Sequence, residues 1–223
     1  MINEDRLEEF AAKYLKKDKV IAVGSDSLGE KLLKKIALKN HELELNIHVV
    51  PTSTSIAALC SQMHLQIANI NDREVDIAFE LADQADKNFN FVKRNSHSLV
   101  RDKMICQSAE ELIVLCDEKN FVERVHGTIP FEISSFGWKR TLMQLQKLGK
   151  ASIRIAKNDY FKTETGHLLV DVDFDSIFSL EDLEFQTRTI AGVLETGLFI
   201  GYADRIVLCG EKKIEVKSVI QQK

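Results

Sequence analysis

The chain has 223 residues, of which 44% are hydrophobic, so it can bury the core of one large domain or of a large and a small one. Its formal net charge of −4 provides no basic surface, which argues against nucleic-acid binding. No apolar run approaches the roughly 20 residues that span a bilayer, and the acidic start, MINEDRLEEF, lacks the apolar region of a signal peptide. The 4 cysteines form no CxxC pair, which predicts buried reduced thiols in a cytoplasmic protein and no zinc site.

Strands and helices alternate in the first half of the chain. The predicted elements, in chain order, are a helix at 4–17, a strand at 20–23, a helix at 28–38, a strand at 45–50, a helix at 55–63 and strands at 76–79 and 112–115. The run Val20–Val23 is short, continuous and apolar, as is typical of a strand that is buried on both faces. This alternation predicts a parallel α/β sheet of Rossmann-like type.

The pattern changes after Pro130. The predicted elements there are a strand at 131–134, a helix at 138–148, strands at 153–156 and 168–173, a helix at 180–190 and a strand at 197–200. This β-α-β-β-α-β order is ferredoxin-like. We therefore predict a Rossmann-like domain from residues 1–129 plus 201–223 and a smaller ferredoxin-like α+β domain from residues 130–200. Two strands in the tail, 205–219, are expected to return to the larger domain.

Polar turns follow three of the predicted strands, at Gly24–Ser27, Thr52–Ser55 and Glu80–Asp83. Ligands of open parallel sheets bind at the carboxyl ends of the strands, and hydroxyl groups with the amides of a helix N-terminus suit a phosphate. The GxGxxG and P-loop patterns are absent, which favours a small phosphorylated metabolite over a dinucleotide or a nucleoside triphosphate. By itself, a turn rich in glycine and serine is more often only a turn.

Residues 75–105 combine a buried strand that ends in carboxylates, a loop with a lysine, and a helix that begins near another carboxylate. An acid, a cation and a second acid at strand and helix ends are the groups that proton transfer on a small sugar-like substrate needs. Taken alone, Lys93 and Asp102 are more simply explained as an exposed ion pair, and His97 between them as a solvated histidine.

Several segments resemble ribose-5-phosphate isomerases of type A, in the same order along the chain. VIAVGSDSLGEKLLKKIA resembles the family's first strand, phosphate turn and following helix, and VDIAFELAD resembles its strand that ends in DGAD. FVKRNSHSLVRDK resembles its lysine–glycine loop, and LIVLCDEKNFV, IPFEISSFGWKRTLMQLQKLG and GLFIGYADRIVLCG resemble its later segments. The resemblance implies a Rossmann-like large domain, a small ferredoxin-like domain, no cofactor or metal, and a homodimer or homotetramer.

The resemblance also implies four catalytic residues. Lys93 corresponds to the family's loop lysine and Asp83 to its second carboxylate, whereas Glu80 replaces the first aspartate and Asp102 replaces the glutamate that acts as general base. A carboxylate on an arm one methylene shorter is withdrawn by about 1 Å, and a misplacement of that size costs roughly 100-fold in rate. The implied reaction interconverts ribose 5-phosphate and ribulose 5-phosphate through a cis-enediolate.

The substrate- and phosphate-binding residues implied in the same way are Gly24, Ser25, Asp26, Ser27, Arg94, Asn95, Ser96 and Asn120. Asp26 stands where the family has glycine, and its charge is expected to repel a phosphate dianion. Asn120 stands where the family has a lysine, with Lys119 next to it. Residues 94–96 replace glycines, which permit positive φ angles.

Three functions remain open on the sequence alone. The first is an active ribose-5-phosphate isomerase. The second is a catalytically weakened or inactive paralogue that binds a sugar phosphate in a regulatory role. The third is an enzyme of related chemistry that acts on another phosphosugar or on an acyl substrate.

Overall fold

The structure is a computed structural model that describes residues 4–211 and 213–219. The larger predicted domain also includes residues 1–3, 212 and 220–223, which lie outside the described residues. The helices are α1 (Glu4–Ala12), α2 (Ser27–Glu42), α3 (Thr54–Gln62), α4 (Leu99–Ser108), α5 (Trp138–Leu145) and α6 (Leu180–Arg188). The strands are β1 (Val20–Val23), β2 (His48–Pro51), β3 (Gln66–Ile67), β4 (Val75–Ala82), β5 (Gln84–Asp86), β6 (Phe91–Val92), β7 (Ala109–Asp117), β8 (Phe121–Val122), β9 (Thr128–Ile133), β10 (Lys150–Ile153), β11 (Ile155–Ala156), β12 (Asp159–Tyr160), β13 (Leu168–Asp173), β14 (Val193–Thr196), β15 (Leu198–Phe199), β16 (Arg205–Cys209) and β17 (Ile214–Ser218).

The largest sheet has seven strands in the order β17-β16-β7-β4-β1-β2-β3. All neighbours in it are parallel except β16 and β17, which are antiparallel. Strands β1 and β4 lie near its centre, and both faces of the sheet are covered, which explains why every residue of β1 is apolar and buried. Apolar side chains of α1, α2 and α3 pack on one face, together with Phe79, and those of α4 pack on the other face, together with Ala78. The Rossmann-like sheet and the return of two tail strands to it are therefore confirmed.

A second sheet is antiparallel, with the strand order β10-β13-β9-β14. Helix α5 connects its first two strands in the chain and α6 connects its last two, so the ferredoxin-like order is confirmed. The positions of two strands were predicted wrongly. The second strand spans Lys150–Ile153 and not 153–156, and the fourth spans Val193–Thr196 and not 197–200. The division into domains at residues 129/130 and 200/201 stays a prediction.

Gly197 explains why the fourth strand ends at Thr196 and does not include residues 197–200. Its N–H donates to Pro130 O at 2.7 Å, and its carbonyl accepts from Lys93 N at 3.0 Å. A Cβ at this position would lie 2.5 Å from Pro130 Cγ and 2.8 Å from Lys93 O. The chain therefore changes partner at Gly197, and Leu198–Phe199 pairs with β6 in a small four-stranded sheet, β15-β6-β5-β8.

Helix ends differ from the predictions by several residues. Helix α1 ends at Ala12 and not at 17, while α2 continues to Glu42 and not to 38. Tyr14 and Leu15 still pack against the core after α1 has ended, so the apolar spacing persists beyond the helix.

All of the cysteines are buried and free, as predicted. Within the described residues, no helix is both long and apolar enough to cross a bilayer.

Candidate active site

The predicted polar turns after β1 and β4 meet at the carboxyl edge of the large sheet, because these strands are neighbours. Gly24 N donates to Phe79 O at 2.8 Å, which joins the two turns. A Cβ at Gly29 would lie 1.8 Å from Gly24 O, so the first turn of α2 packs directly on this edge. A small pocket opens here, lined by Ser25, Asp26, Leu81, Ala82, Asp83, Lys93 and Asn95.

Three buried charged side chains, Glu80, Lys93 and Asp102, lie together beside this pocket. Lys93 Nζ forms an ion pair with Glu80 Oε2 and lies 2.7 Å from Asp102 Oδ2. The side chains of Glu80, Lys93 and Asp102 are only 1%, 7% and 2% exposed. This burial excludes the simpler interpretation of Lys93 and Asp102 as an exposed pair, and it makes the charges of the three groups interact strongly.

The strand pleat explains how Glu80 reaches Lys93. Side chains alternate along β4, so Glu80 lies on the same face as Ala78 and Ala82. Those alanines pack in the apolar cluster that includes Ile105 of α4. Small residues on either side of Glu80 therefore leave room for its carboxylate between β4 and α4.

The pKa of Glu80 is raised from 4.5 to about 7. Burial is the largest cause, the charge of Asp102 raises the pKa further, and the charge of Lys93 lowers it. Among the described residues, Glu80 Oε1 has no hydrogen-bond partner. Burial alone would lower the pKa of Lys93, but the charges of Asp102 and Glu80 outweigh it and raise that pKa. The site therefore holds a permanent cation beside an acid that can gain or lose a proton near neutral pH.

Asp102 lies in the first turn of α4, and its carboxylate is oriented by Ser96 and Lys93. Ser96 Oγ donates to Asp102 Oδ2 at 2.7 Å and accepts from Ser98 N at 3.0 Å. Ser98 is the N-cap of α4, and its hydroxyl accepts from Arg101 N. Asp102 is thus held by the helix that carries it, by the preceding loop and by Lys93.

Asp83 organises the loop after Lys93. It accepts hydrogen bonds from Arg94 N and, at 2.8 Å, from Asn95 Nδ2. Positive φ angles in the described chain occur at other residues and not at 94–96. The loop therefore needs no glycine here, because the side chains of Asp83 and Asn95 fix its shape.

Gly24 and Asp26 define the turn after β1. A Cβ at Gly24 would lie 2.8 Å from Glu80 Oε2, so only glycine allows the carboxylate to approach. Asp26 is the N-cap of α2, and its Oδ1 accepts from Leu28 N at 2.8 Å and from Gly29 N at 2.9 Å. Burial raises the pKa of Asp26 although these two amides lower it. The amides that could have bound a phosphate donate instead to the chain's own carboxylate.

The serines of this turn differ in exposure. Ser25 is half-buried and lines the pocket, and Ser27 is exposed at the start of α2. In the remaining predicted turn, Thr52–Ser55, Thr52 Oγ1 donates to Val23 O at 2.6 Å, and Ser53 is the N-cap of α3. The hydroxyl groups of that turn therefore stabilise the local fold and are not among the groups that line the pocket.

Arg94 and Asn120 are among the predicted binding residues that do not line the pocket. The Arg94 guanidinium donates to His126 O at 2.7 Å, to Thr128 O at 2.9 Å and to Gln84 Oε1 at 3.0 Å. Asn120 ends a 3₁₀ turn after β7. The neighbouring Lys119 is 77% exposed and pairs with Asp117 at 3.3 Å. A substrate role for Arg94 or Asn120 therefore stays a prediction.

One buried acid near the site, Glu132 of β9, was missed in the sequence. It is fully buried between Phe131 and Ile133, and it contacts the start of α4. The pattern IPFEI, with one charge inside an apolar strand, could have identified it, because buried charges need specific partners.

Within the described residues, no group of three or more His, Cys, Asp or Glu side chains could hold a metal ion.

Comparisons with known proteins identify the family of this chain. The sequence profile of the family described as ribose 5-phosphate isomerase A (phosphoriboisomerase A) matches residues 48–213. A curated ribose-5-phosphate isomerase A from Synechococcus sp. is 33% identical over 90% of this chain and 89% of its own length. One from Bacillus mycoides is 30% identical over 90% of this chain and 92% of its own length.

Solved structures give the same result. A D-ribose-5-phosphate isomerase in complex with phospho-erythronic acid superposes with a TM-score of 0.89 at 27% identity, covering 96% of this chain and 97% of that one. Ribose 5-phosphate isomerase A from Methanocaldococcus jannaschii has the same fold, with a TM-score of 0.89 at 24% identity over 96% of this chain and 97% of its own. The chain therefore belongs to the ribose 5-phosphate isomerase A family.

Proposed function

We propose that this protein is an aldose–ketose isomerase that interconverts ribose 5-phosphate and ribulose 5-phosphate without a cofactor. The observation that carries the proposal is the buried cluster of Glu80, Lys93 and Asp102 beside the pocket at the carboxyl edge of the sheet. The names of the curated relatives support the choice of substrate.

The first step is opening of the furanose ring. Glu80, with a pKa of about 7, is partly protonated at neutral pH, and in that form it donates a proton to the ring oxygen. Asp83, which lines the pocket, accepts the proton of the C1 hydroxyl. The C1 aldehyde forms as the bond between C1 and the ring oxygen breaks.

The second step moves a proton between neighbouring carbons. Asp102 removes the proton from C2, the electron pair forms the C1–C2 double bond, and negative charge develops on the oxygen at C1. The Lys93 ammonium stabilises this cis-enediolate, since a preorganised charge acts most strongly in a buried site. Asp102 returns its proton to C1, and the proton of the C2 hydroxyl passes to the oxygen at C1, which leaves a ketone at C2 and a hydroxyl group at C1.

The phosphate end of the substrate has fewer donors here than the family resemblance implies. We place it near Ser25, Ser27 and Asn95, with the remaining backbone amides of the turn. Asp26 and Asp83 both line the pocket, and their charges oppose a phosphate dianion. The proposal therefore includes weak binding of the phosphate end.

We further infer a homodimer or homotetramer in the cytoplasm. The family resemblance supports the assembly, and the buried, free cysteines fit a reducing compartment. Light scattering of the purified protein measures the assembly directly, and a monomer at micromolar concentration would contradict it.

The test is a coupled assay of ribulose 5-phosphate formation from ribose 5-phosphate. Asp102→Asn should lower turnover to a small residual rate while the protein stays folded, because the amide keeps the size of the side chain and removes the base. Asp86→Asn is the matched control, since Asp86 is as deeply buried as Asp102 and its carboxylate accepts hydrogen bonds from Asn88 and Asn90, which do not line the pocket.

Each outcome separates the candidate functions. Folded wild-type protein with no more activity than a buffer blank would refute the proposal. Stabilisation of that inactive protein by ribose 5-phosphate in a thermal-shift assay would favour the regulatory paralogue. Turnover of another phosphosugar in its place would favour an enzyme of related chemistry.

A further inference from the structure

Glu132 is a buried carboxylate that collects hydrogen bonds from one loop. It lies at the centre of the antiparallel sheet and is 0% exposed. Its Oε1 accepts from Thr163 Oγ1 at 2.7 Å and from Thr165 Oγ1 at 2.6 Å, and it lies 3.0 Å from His167 Nδ1. These three residues lie in the turn just before β13, so one acid fixes the whole turn.

The other carboxylate oxygen of Glu132 binds the start of α4. Val100 N donates to Oε2 at 2.9 Å, and Ser98 Oγ lies 3.2 Å from the same oxygen. Val100 N is one of the first amides of the helix, which have no partner within the helix itself. A negative charge at this end is also favoured by the helix dipole. Glu132 therefore acts as a second cap on α4, supplied by the neighbouring sheet.

The same contacts lead to Asp102, the proposed general base, in three steps. Ser98, which donates to Glu132, also donates its N–H to Ser96 Oγ at 3.0 Å. Ser96 Oγ in turn donates to Asp102 Oδ2 at 2.7 Å, and that oxygen binds Lys93. A continuous hydrogen-bonded path therefore joins the core of the small sheet to the general base.

We infer that Glu132 is a positioning residue for Asp102: it fixes the first turn of α4 and so holds the general base against Lys93. Burial by itself would raise the pKa of Glu132, but hydrogen bonds from Thr165, Val100, Thr163 and His167 lower it, so the carboxylate stays ionised. An ionised acceptor binds these donors about twice as strongly as a neutral one. The inference rests on the proposed isomerase function of Asp102.

Glu195 provides a matched control on the same face of the same sheet. It pairs with Glu132 in the register of β14 and β9. It also holds α4, but through Lys103 at 2.6 Å, one residue beyond Asp102. Lys103 keeps a second acid, Glu184 at 3.2 Å, when Glu195 is replaced. Glu195→Gln thus loosens α4 without touching its first amides.

The first experiment compares steady-state kinetics of Glu132→Gln and Glu195→Gln with ribose 5-phosphate. A displacement of about 1 Å at the base costs on the order of 100-fold in rate, so Glu132→Gln should lower kcat roughly 10- to 100-fold. The KM should change by less than about 3-fold, because the interaction matters only when the proton moves. Equal losses of kcat in both variants at equal melting temperatures would overturn the inference.

A double variant tests whether Glu132 acts through Asp102. When Asp102→Asn has removed the base, Glu132→Gln should lower the residual rate no further, since the two effects share one path. A merely structural role of Glu132 would instead multiply the two losses. Full additivity of the two changes would therefore also overturn the inference.

Amide hydrogen exchange separates this inference from the proposed function. In Glu132→Gln the amide of Val100 should exchange faster than in Glu195→Gln, because it loses an ionised acceptor. This readout needs no turnover. If the wild type is inactive but Val100 exchanges faster in Glu132→Gln, the isomerase function is refuted and the capping role of Glu132 is kept. If exchange at Val100 is unchanged in Glu132→Gln, the capping role itself is refuted.

Discussion

Replacement of Glu80 by glutamine gives the most direct test of the buried charge cluster. Glu80 is 0% exposed, and its pKa is raised from 4.5 to about 7. Glutamine has nearly the same size and shape but cannot ionise. Any change in the pH dependence of stability between the two proteins therefore reports the ionisation of this carboxyl group.

The size and sign of the effect follow from the two pKa values. The native state holds this proton more tightly than the unfolded state, so the stabilisation is complete below about pH 4.5 and is lost as the pH rises through about 7. This interval covers about 2.5 pH units, and each unit corresponds to about 1.36 kcal/mol. We therefore expect the unfolding free energy of wild type to fall by about 3 kcal/mol relative to Glu80→Gln.

The assay is chemical denaturation of both proteins at a series of pH values from 4.5 to 8.5. Glu132→Gln is a useful contrast, because the pKa of Glu132 is lowered and its contribution is lost only as the pH falls. A constant difference between wild type and Glu80→Gln across the series would show that Glu80 ionises normally. The assignment of Glu80 as the acid of ring opening would then be refuted.

Three further substitutions test the site. Lys93→Met should lower the unfolding free energy by about 3–5 kcal/mol, since it leaves two buried carboxylates without their cation; unchanged denaturation at pH 7 would contradict the cluster. Gly24→Ala places a Cβ 2.8 Å from Glu80 Oε2, so we expect a loss of about 1–3 kcal/mol and of most turnover; a stable and fully active variant would disprove that contact. Asp26→Asn keeps a helix cap but removes a charge, and it should lower the KM for ribose 5-phosphate through a gain on the order of 1 kcal/mol; an unchanged KM would place the phosphate elsewhere.

The parallel sheet could be predicted because its signals are local. The run Val20–Val23 is apolar at every position, and it is buried on both faces at the centre of the sheet. A glycine followed by serine and aspartate then marks the turn that begins α2. The cluster of Glu80, Lys93 and Asp102 could be located approximately for the same reason, since the carboxyl ends of neighbouring parallel strands meet at one edge.

Other features depend on contacts between distant segments and could not be predicted. Gly197 ends β14 because its backbone touches both Pro130 and Lys93, and neither contact is visible in the local pattern. Arg94 resembles a phosphate ligand in the sequence, yet its guanidinium donates to the carbonyl groups of His126, just before β9, and of Thr128, the first residue of β9. The strand at 150–153 was misplaced by three residues, because its half-exposed alternation extends into the polar hairpin that follows.

The two departures at Glu80 and Asp102 are best understood as one exchange. Relative to the family pattern, the acid on β4 is longer by one methylene and the acid on α4 is shorter by one. Both carboxylates nevertheless contact the same ammonium group of Lys93. The combined length of the two arms is unchanged, so Asp102, the proposed base, keeps its cation. Asp102→Glu alone would add a methylene where the side chain is 2% exposed, and overpacking of this kind is destabilising. Restoration of the family arrangement therefore requires Glu80→Asp in the same protein, and only the double exchange tests whether arm length limits the rate.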